Sequence, residues 1–139
     1  MAVQAITGVK ELDRKLATMT ERVQNKLLRR AVRDVAKDVQ KTAQRLVPVD
    51  TGRLKRSIKV RARKRSRKNR GLVGVQVITG NTDKLFTGEI YYGGMIEFGT
   101  KTMAAQPFMR PAEISNRVIA KSKFQASLRR IIAEEALKR

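Results

Sequence analysis

The residues of this chain whose types and spacing could support chemistry are mainly basic. Between Lys59 and Gly71 the run KVRARKRSRKNRG holds eight Lys or Arg among thirteen residues and no acidic residue. Such an array neutralises phosphate groups and releases their counterions, with little sequence specificity. Three interpretations of the run stay open: contact with DNA phosphates, docking on an acidic surface of a neighbouring protein, and a solvated strand face with a flexible tip. The candidate contact residues are Lys59, Arg61, Arg63, Lys64, Arg65, Arg67, Lys68 and Arg70.

Residues suited to catalysis or metal binding are scarce. The chain has no cysteine and no histidine, which excludes disulfides, zinc sites of the Cys/His type and the commonest general base. Its twelve Asp and Glu residues are scattered, so a metal site built from carboxylates alone has no supporting spacing. The segment GNTDKLFTG lacks the Gly-Lys-Ser/Thr ending of a phosphate-binding loop. We therefore expect no enzyme, no cofactor and no metal.

Charge and length limit the class of protein. The formal net charge of +20 favours polyanionic partners, which are DNA, RNA or an acidic protein surface. A chain of 139 residues suits one domain, predicted over residues 1–139. No stretch approaches the ~20 apolar residues that a membrane span needs, and the N-terminus has no signal pattern. We expect a product made in the cytoplasm that does not enter a membrane.

The first part of the chain has helical periodicity. Apolar spacing predicts helix from Gly8 to Leu46, ending before Pro48. The segment TMTE fits a capping box in which Thr18 caps and Glu21 reaches back, so we expect two helices or one bent helix. The face opposite the apolar stripe forms a second basic surface, which we interpret as solvated, with a subunit interface or a direct DNA contact as alternatives. It comprises Arg22, Lys26, Arg29, Arg33, Lys37 and Lys41.

An antiparallel hairpin is predicted for residues 57–80. Apolar residues alternate with basic ones through SIKVRAR, and LVGVQVITG supplies a return strand after a turn. We expect Ile58, Val60, Ala62, Val73, Val75 and Val77 to be buried against the side of the long helix that carries Leu27, Val35 and Val39. The predicted fold class is α+β: a long N-terminal amphipathic helix and a C-terminal helix packed on a small antiparallel sheet with a long basic β-hairpin.

Turn residues divide the rest of the chain. In VPVDTGRL, Gly52 is expected to adopt a positive φ. A strand is expected to begin EIYYGGMIEFGT, and GMIEFG could hold one helical turn closed by Gly99. Pro111 suits the first turn of the C-terminal helix. One face of that helix is expected to carry Ile114, Val118, Phe124, Leu128, Ile131 and Ile132.

Three segments, in this order and spacing, resemble a known family. They are VPVDTGRLKRSI (Val47–Ile58), YYGGMIEFGT (Tyr91–Thr100) and QPFMRPA (Gln106–Ala112). Together with the preceding amphipathic helix they look like the tail-component proteins of tailed bacteriophages typified by gene product ten of phage HK-97. The motif residues, taken as fold- or interface-defining, are Pro48, Asp50, Thr51, Gly52, Leu54, Tyr92, Glu97, Phe98, Gly99, Thr100, Pro107, Phe108, Arg110 and Pro111.

The resemblance implies a structural protein of the head–tail junction, without catalysis. It implies a virion protein of the tail neck that forms a homo-oligomeric ring, sixfold in this group, and completes the tail. Its neighbours would be the tail terminator, the tail tube and the head-closure or connector proteins, and genomic DNA would pass nearby. The charge density of the hairpin does not follow from the resemblance.

Individual motif residues carry their own expectations. Glu97 either caps a turn or forms a salt bridge with Arg53 or Arg110, and we expect the arginine pairing. Phe98 and Phe108 are expected in the core, because large aromatic residues are scarce here. One of Tyr91 and Tyr92 is expected to face inward and the other outward.

A second function class is a free, non-sequence-specific nucleic-acid-binding protein. Net charge and size agree with it, but the basic hairpin carries no aromatic stacking platform and the chain shows no helix-turn-helix or zinc-finger spacing. The two classes are separable, because the first predicts rings with neck partners and the second predicts salt-sensitive binding by the monomer.

Overall fold

Five helices and two strands make up the part of the chain that the structure describes. The computed structural model describes residues 2–64, 68, 72–80 and 92–138, with the backbone alone for residues 2–9. The elements are α1 (Ala2–Ala17), α2 (Glu21–Leu46), α3 (Arg53–Ser57), β1 (Ile58–Ala62), β2 (Val75–Thr79), α4 (Tyr92–Phe98) and α5 (Met109–Ala136). The predicted α+β class is confirmed, whereas the prediction of a single domain stays a prediction.

The break between α1 and α2 lies where the sequence predicts it, but its chemistry differs. The Thr18 hydroxyl donates to the Lys15 carbonyl at 2.7 Å instead of capping α2, so the predicted capping box with Glu21 is wrong. The Gln24 side-chain amide instead donates to the carbonyls of Leu16 and Met19, at 2.7 and 2.8 Å. One side chain of α2 thus satisfies carbonyls left open where α1 ends.

Helices α2 and α5 pack antiparallel, and a polar ladder follows their contact. Its members on α2 recur every four residues, so they share one edge of that helix. The Arg130 guanidinium donates to Asp34, and the Ser127 hydroxyl donates to the same carboxylate. The paired residues are Arg30 with Glu134 at 3.1 Å, Asp34 with Arg130 at 2.9 Å, Asp38 with Lys123 at 2.6 Å, and Thr42 with Asn116 at 3.0 Å.

Two apolar clusters form the core. The first, which we call the helical cluster, joins α1, α2 and α5 through Leu12, Leu27, Ala31, Leu128, Ile131 and Ile132. The second, which we call the junction cluster, joins the end of α2, the α3–β1 segment and the start of α5 through Ala43, Val47, Leu54, Ile58, Phe108 and Ala112.

The two strands of the hairpin pair antiparallel, as predicted, but the hairpin packs on another part of α2. Strands β1 and β2 pair antiparallel with Val60 opposite Val77. Ile58 is fully buried in the junction cluster, and the partly buried Val39 packs against the same cluster. Leu27 packs in the helical cluster instead. The expected contact between the hairpin and Leu27 is therefore wrong. The alternation also fades along β1, since Val60 is half-buried and Ala62 is exposed.

The predicted apolar face of α5 is buried over its second half only. Ile114 and Val118 are 53% and 87% exposed, which contradicts their expected burial. The face that packs at the start of α5 carries Ala112 and Asn116 instead. The helical cluster with α1 covers the stripe only from Phe124 onward, so two large apolar residues remain at the surface.

No helix in the described part of the chain is long and apolar enough to cross a membrane.

Candidate functional site

The three motif segments meet at the junction cluster. Val47 and Leu54 of the first segment pack with Phe108 of the third, and Tyr92 and Ile96 of the second border them. The expected core position of Phe108 is confirmed, since its side chain is fully buried. The strand expected at Tyr92 is replaced by helix α4, which begins at this half-buried residue. Tyr91 lies outside the described residues.

The first motif segment contains the left-handed turn that the sequence predicts at Gly52. It also contains helix α3, which the sequence does not predict. Gly52 has φ +73°, as predicted, in a backbone region that other residues rarely adopt. The Thr51 hydroxyl lies 3.5 Å from the backbone nitrogen of Arg53, and α3 begins at that residue. Pro48 follows Val47, whose extended backbone ends α2.

Glu97 joins the second and third segments through the backbone of α5. Its Oε2 accepts hydrogen bonds from the backbone N–H groups of Phe108 and Met109, at 2.8 and 2.9 Å, and its Oε1 accepts one from Arg110 at 2.9 Å. Pro111 follows and has no N–H, and the first intrahelical bond runs from the Ala112 amide to the Phe108 carbonyl at 3.3 Å.

Every N–H position at the start of α5 is therefore accounted for. The first four N–H groups of a helix have no partner within it, and a carboxylate there also meets the positive end of the helix dipole. Glu97 satisfies three of these positions and Pro111 removes the fourth. The capping alternative for Glu97 is thus confirmed. The expected pairing with Arg53 or Arg110 is wrong, since within the described chain no guanidinium group forms an ion pair with this carboxylate.

Gly99 and Thr100 fix the loop that leads from α4 to α5. Gly99 has φ +75°, and a Cβ there would lie 2.8 Å from the backbone nitrogen of Ala105. The Thr100 hydroxyl accepts from the Met103 amide at 3.1 Å, and the Gln106 amide donates to the Ile96 carbonyl at 2.8 Å. This loop brings residue 108 back to Glu97, so the EFGT and QPFMRPA segments form one folded unit.

Comparison with known families identifies the family of the chain. A family model described as "Bacteriophage HK97-gp10, putative tail-component" matches residues 10–99. The chain belongs to this family. The match contains the first motif segment and the second as far as Gly99, whereas Gln106–Ala112 lies beyond it. No curated protein and no solved structure matches the chain.

The family is described as a tail component of a bacteriophage. It places its members in the tail of a bacteriophage particle. Among the described residues, no group of three or more acidic residues is arranged to hold a metal ion. The described surface presents exposed apolar side chains and positive charge, which are suited to recognition.

Three motif residues of this tail component have exposed side chains. Phe98 is 65% exposed, so its predicted core position is wrong. The side chains of Asp50 and Arg110 are exposed, and neither forms an ion pair in the part of the chain that the structure describes. Pro107 is also exposed, and Pro111 is half-buried. Sequence alone gave no signal to separate Phe98 from Phe108.

In the basic hairpin, all the Lys and Arg side chains that the structure describes are exposed. Gly74 faces Arg63, and the Arg63 amide donates to the Gly74 carbonyl at 2.9 Å. Arg61 has an interaction within the molecule and is still exposed. The turn at the tip, including Arg65, Arg67 and Arg70, lies outside the described residues. The exposed cations are Lys59, Arg61, Arg63, Lys64 and Lys68.

Proposed function

We propose that this tail component is a ring-forming tail-completion subunit of the neck, which joins the phage tail to the DNA-filled head. Membership of the tail-component family over residues 10–99 is the observation that supports a tail role. The sixfold ring, and the tail terminator, tail tube and head-closure proteins as its neighbours, extend that role as expectations from the resemblance. The protein would be made in the host cytoplasm and then incorporated at the neck.

Exposed motif residues support a contact between subunits. Glu97, Gly99 and Phe108 build the fold, whereas Phe98, Asp50 and Arg110 present an aromatic ring and two opposite charges to the surface. Aromatic and arginine side chains dominate the energies of protein interfaces. A heterologous contact closes a ring when the rotation between subunits returns to its start. We assign these three residues to that contact.

The basic hairpin has two candidate partners in such a ring. A lumen position would place its cations near DNA phosphates without sequence specificity. A position between stacked rings would place them on an acidic neighbour, where complementary charge sets the register. The radial direction of Arg63 in a map of the assembled neck decides between these partners.

The proposed function is tested by removing the gene from a phage that encodes the protein. We expect infected cells to accumulate DNA-filled heads and separate tails, visible in negative-stain micrographs, because the neck is incomplete. Expression of the wild-type protein from a plasmid should restore joined particles. Normal virions in the absence of the protein would refute the proposal.

The subunit contact is tested in the same complementation. Phe98→Ala is expected to fold normally, because the side chain is mostly exposed, and to reduce the yield of joined particles at least tenfold. Leu137→Ala removes an even more exposed apolar side chain outside the motif and serves as the matched control. Full rescue by Phe98→Ala would exclude this residue from the contact.

The alternative, a free nucleic-acid-binding protein, has support from the net charge of +20. It predicts a monomer that binds nucleic acid and has no effect on head–tail joining. The deletion experiment therefore separates it from the leading proposal.

A further inference from the structure

Four basic residues form a continuous row on the first half of α2. They are spaced four, three and four residues apart, which places them on one face of the helix. At 1.5 Å per residue the row is about 17 Å long. Arg22, Lys26 and Arg33 are exposed and Arg29 is half-buried. We call these four residues the α2 basic stripe.

The α2 basic stripe has no acidic partner in the described part of the chain. The acidic residues Asp34 and Asp38 on the same helix face α5, where they pair with Arg130 and Lys123. Arg30, next to the stripe, pairs with Glu134. The ladder between α2 and α5 thus engages Asp34 and Asp38, and Glu21 beside the stripe forms no ion pair with it in the described chain, so the four stripe cations keep their charge unpaired.

An unneutralised row of this kind opposes folding. Like charges three or four residues apart destabilise a helix, and the stripe contains three such neighbouring pairs. Substitution by polar residues would relieve the repulsion without disturbing the helical cluster, which uses the opposite face of α2 through Leu27 and Ala31. A bound anion would relieve it in the same way.

The shape and chemistry of the stripe fit phosphate groups better than a protein surface. Its side chains line a shallow depression of about 590 Å³, with Glu21, Asn25 and Arg30. No apolar or aromatic side chain contributes to this lining, although the cores of protein interfaces are depleted in charge and built on such anchors. Duplex DNA presents one charge per ~1.7 Å of its axis, so a row of about 17 Å faces several phosphates.

We propose that the α2 basic stripe binds the phosphate backbone of a nucleic acid, without sequence specificity. The inference is independent of the ring, since it concerns binding by the isolated chain. It is also separate from the hairpin, because β1 packs near Val39 and Ala43, beyond the C-terminal end of the stripe.

The test compares two variants that each lose four positive charges. The first carries Arg22→Gln, Lys26→Gln, Arg29→Gln and Arg33→Gln. The control carries Lys10→Gln, Arg14→Gln, Lys121→Gln and Arg129→Gln, which are exposed and lie on α1 and α5. Circular dichroism should show that both retain wild-type helix content. Binding to a fluorescent 20-base-pair duplex is measured by anisotropy between 50 and 300 mM NaCl.

The stripe variant is expected to bind at least tenfold more weakly than the control at 100 mM salt. The negative slope of log K against log salt should become shallower by about 3 to 4, because each lost phosphate contact removes ~0.9 from its magnitude. Equal affinities and slopes for the two variants would overturn the proposal. Single-stranded DNA and RNA arms should show the same loss if the backbone is the ligand.

Two further arms separate the alternatives. A third variant, Lys59→Gln, Arg63→Gln, Lys64→Gln and Lys68→Gln, removes hairpin charges; if it alone loses duplex binding, the stripe proposal fails while the hairpin keeps its role. Polyglutamate is the acidic-polypeptide probe. If polyglutamate binds as tightly as the duplex and shows the same loss in the stripe variant, the ligand is an acidic protein and the proposal is overturned.

Discussion

At the scale of single residues, one carboxylate determines where the last helix begins. Glu97 lies at the end of α4, yet its two oxygens receive the N–H groups of residues 108 to 110. Because Pro111 lacks an N–H, the start of α5 has no unsatisfied donor. The contact also joins the segment inside the family match to the segment beyond it, together with the Gln106 amide, which donates to the Ile96 carbonyl.

Replacement of Glu97 should therefore be costly. We expect Glu97→Ala to lower the free energy of unfolding by about 2 kcal/mol, because three N–H groups lose a charged acceptor and two of these contacts are partly buried. Glu97→Gln keeps the shape and one good acceptor, so about 1 kcal/mol should be lost. Urea denaturation followed by circular dichroism measures both.

Glu113→Gln is the matched control for this prediction. That carboxylate is exposed and pairs only with Arg117, one helical turn away, so its loss should cost less than ~0.5 kcal/mol. If Glu97→Ala were no more harmful than Glu113→Gln, water would be satisfying the start of α5 and the capping role would be wrong.

Residue types alone could not assign these roles. Phe98 and Phe108 are equally apolar, but the left-handed turn at Gly99 directs the chain so that Phe108 enters the junction cluster and Phe98 stays outside. Gly52 was predictable because a positive φ is a local property. The partner of Glu97 was not predictable from the sequence. The arginine residues expected to pair with it compete with backbone donors that only the tertiary fold brings close.

At the scale of elements, the polar ladder fixes how α5 lies against α2. Asp34 is its central member, since it accepts from both Arg130 and Ser127. We expect Asp34→Ala to cost about 1 kcal/mol, a value reduced for the solvent that reaches the pair. Thermal or urea unfolding provides the measurement.

Asp13→Ala supplies the control for charge, because this exposed residue forms no ion pair in the described chain. The free energy of unfolding of this variant should stay within ~0.5 kcal/mol of the wild-type value. The double variant Asp34→Ala/Arg130→Ala should lose less than the sum of the single changes, because the two residues interact. Additive losses would show that the ladder contributes nothing through this pair.

Periodicity predicted the elements more reliably than their contacts. The α1–α2 break and the antiparallel hairpin follow from local signals, namely helix spacing and strand alternation. The predicted apolar face of α5 failed over its first half, because the helical cluster includes α5 residues only from Phe124 onward. Ile114 and Val118 satisfy the pattern, but nothing in the described chain covers them.

At the scale of the whole molecule, charge is unevenly distributed. The chain has 32 basic and 12 acidic residues. Several of the acidic residues serve the α2–α5 ladder, and Glu97 serves the start of α5. Excess positive charge therefore accumulates on the α2 basic stripe and on the hairpin, and self-repulsion opposes the compact state unless anions are nearby.

This imbalance predicts that salt stabilises the protein. Raising NaCl from 10 to 150 mM shortens the Debye length from ~30 to ~8 Å, which screens repulsion across the surface more than it weakens contacts at 3 Å. We expect the midpoint of thermal unfolding to rise by about 3 to 6 °C. Chloride is preferred to sulfate here, because sulfate also strengthens apolar burial.

The stripe variant and its control, which lacks four charges on α1 and α5, locate the source of the effect. Both should show a smaller rise with salt than wild type, and the stripe variant should show the smallest, since its four charges lie on adjacent turns of one helix. A midpoint that falls as salt is added would mean that ion pairs such as Asp38 with Lys123 outweigh the repulsion. In that case the unneutralised stripe would carry no folding penalty, and relief of repulsion could not contribute to anion binding.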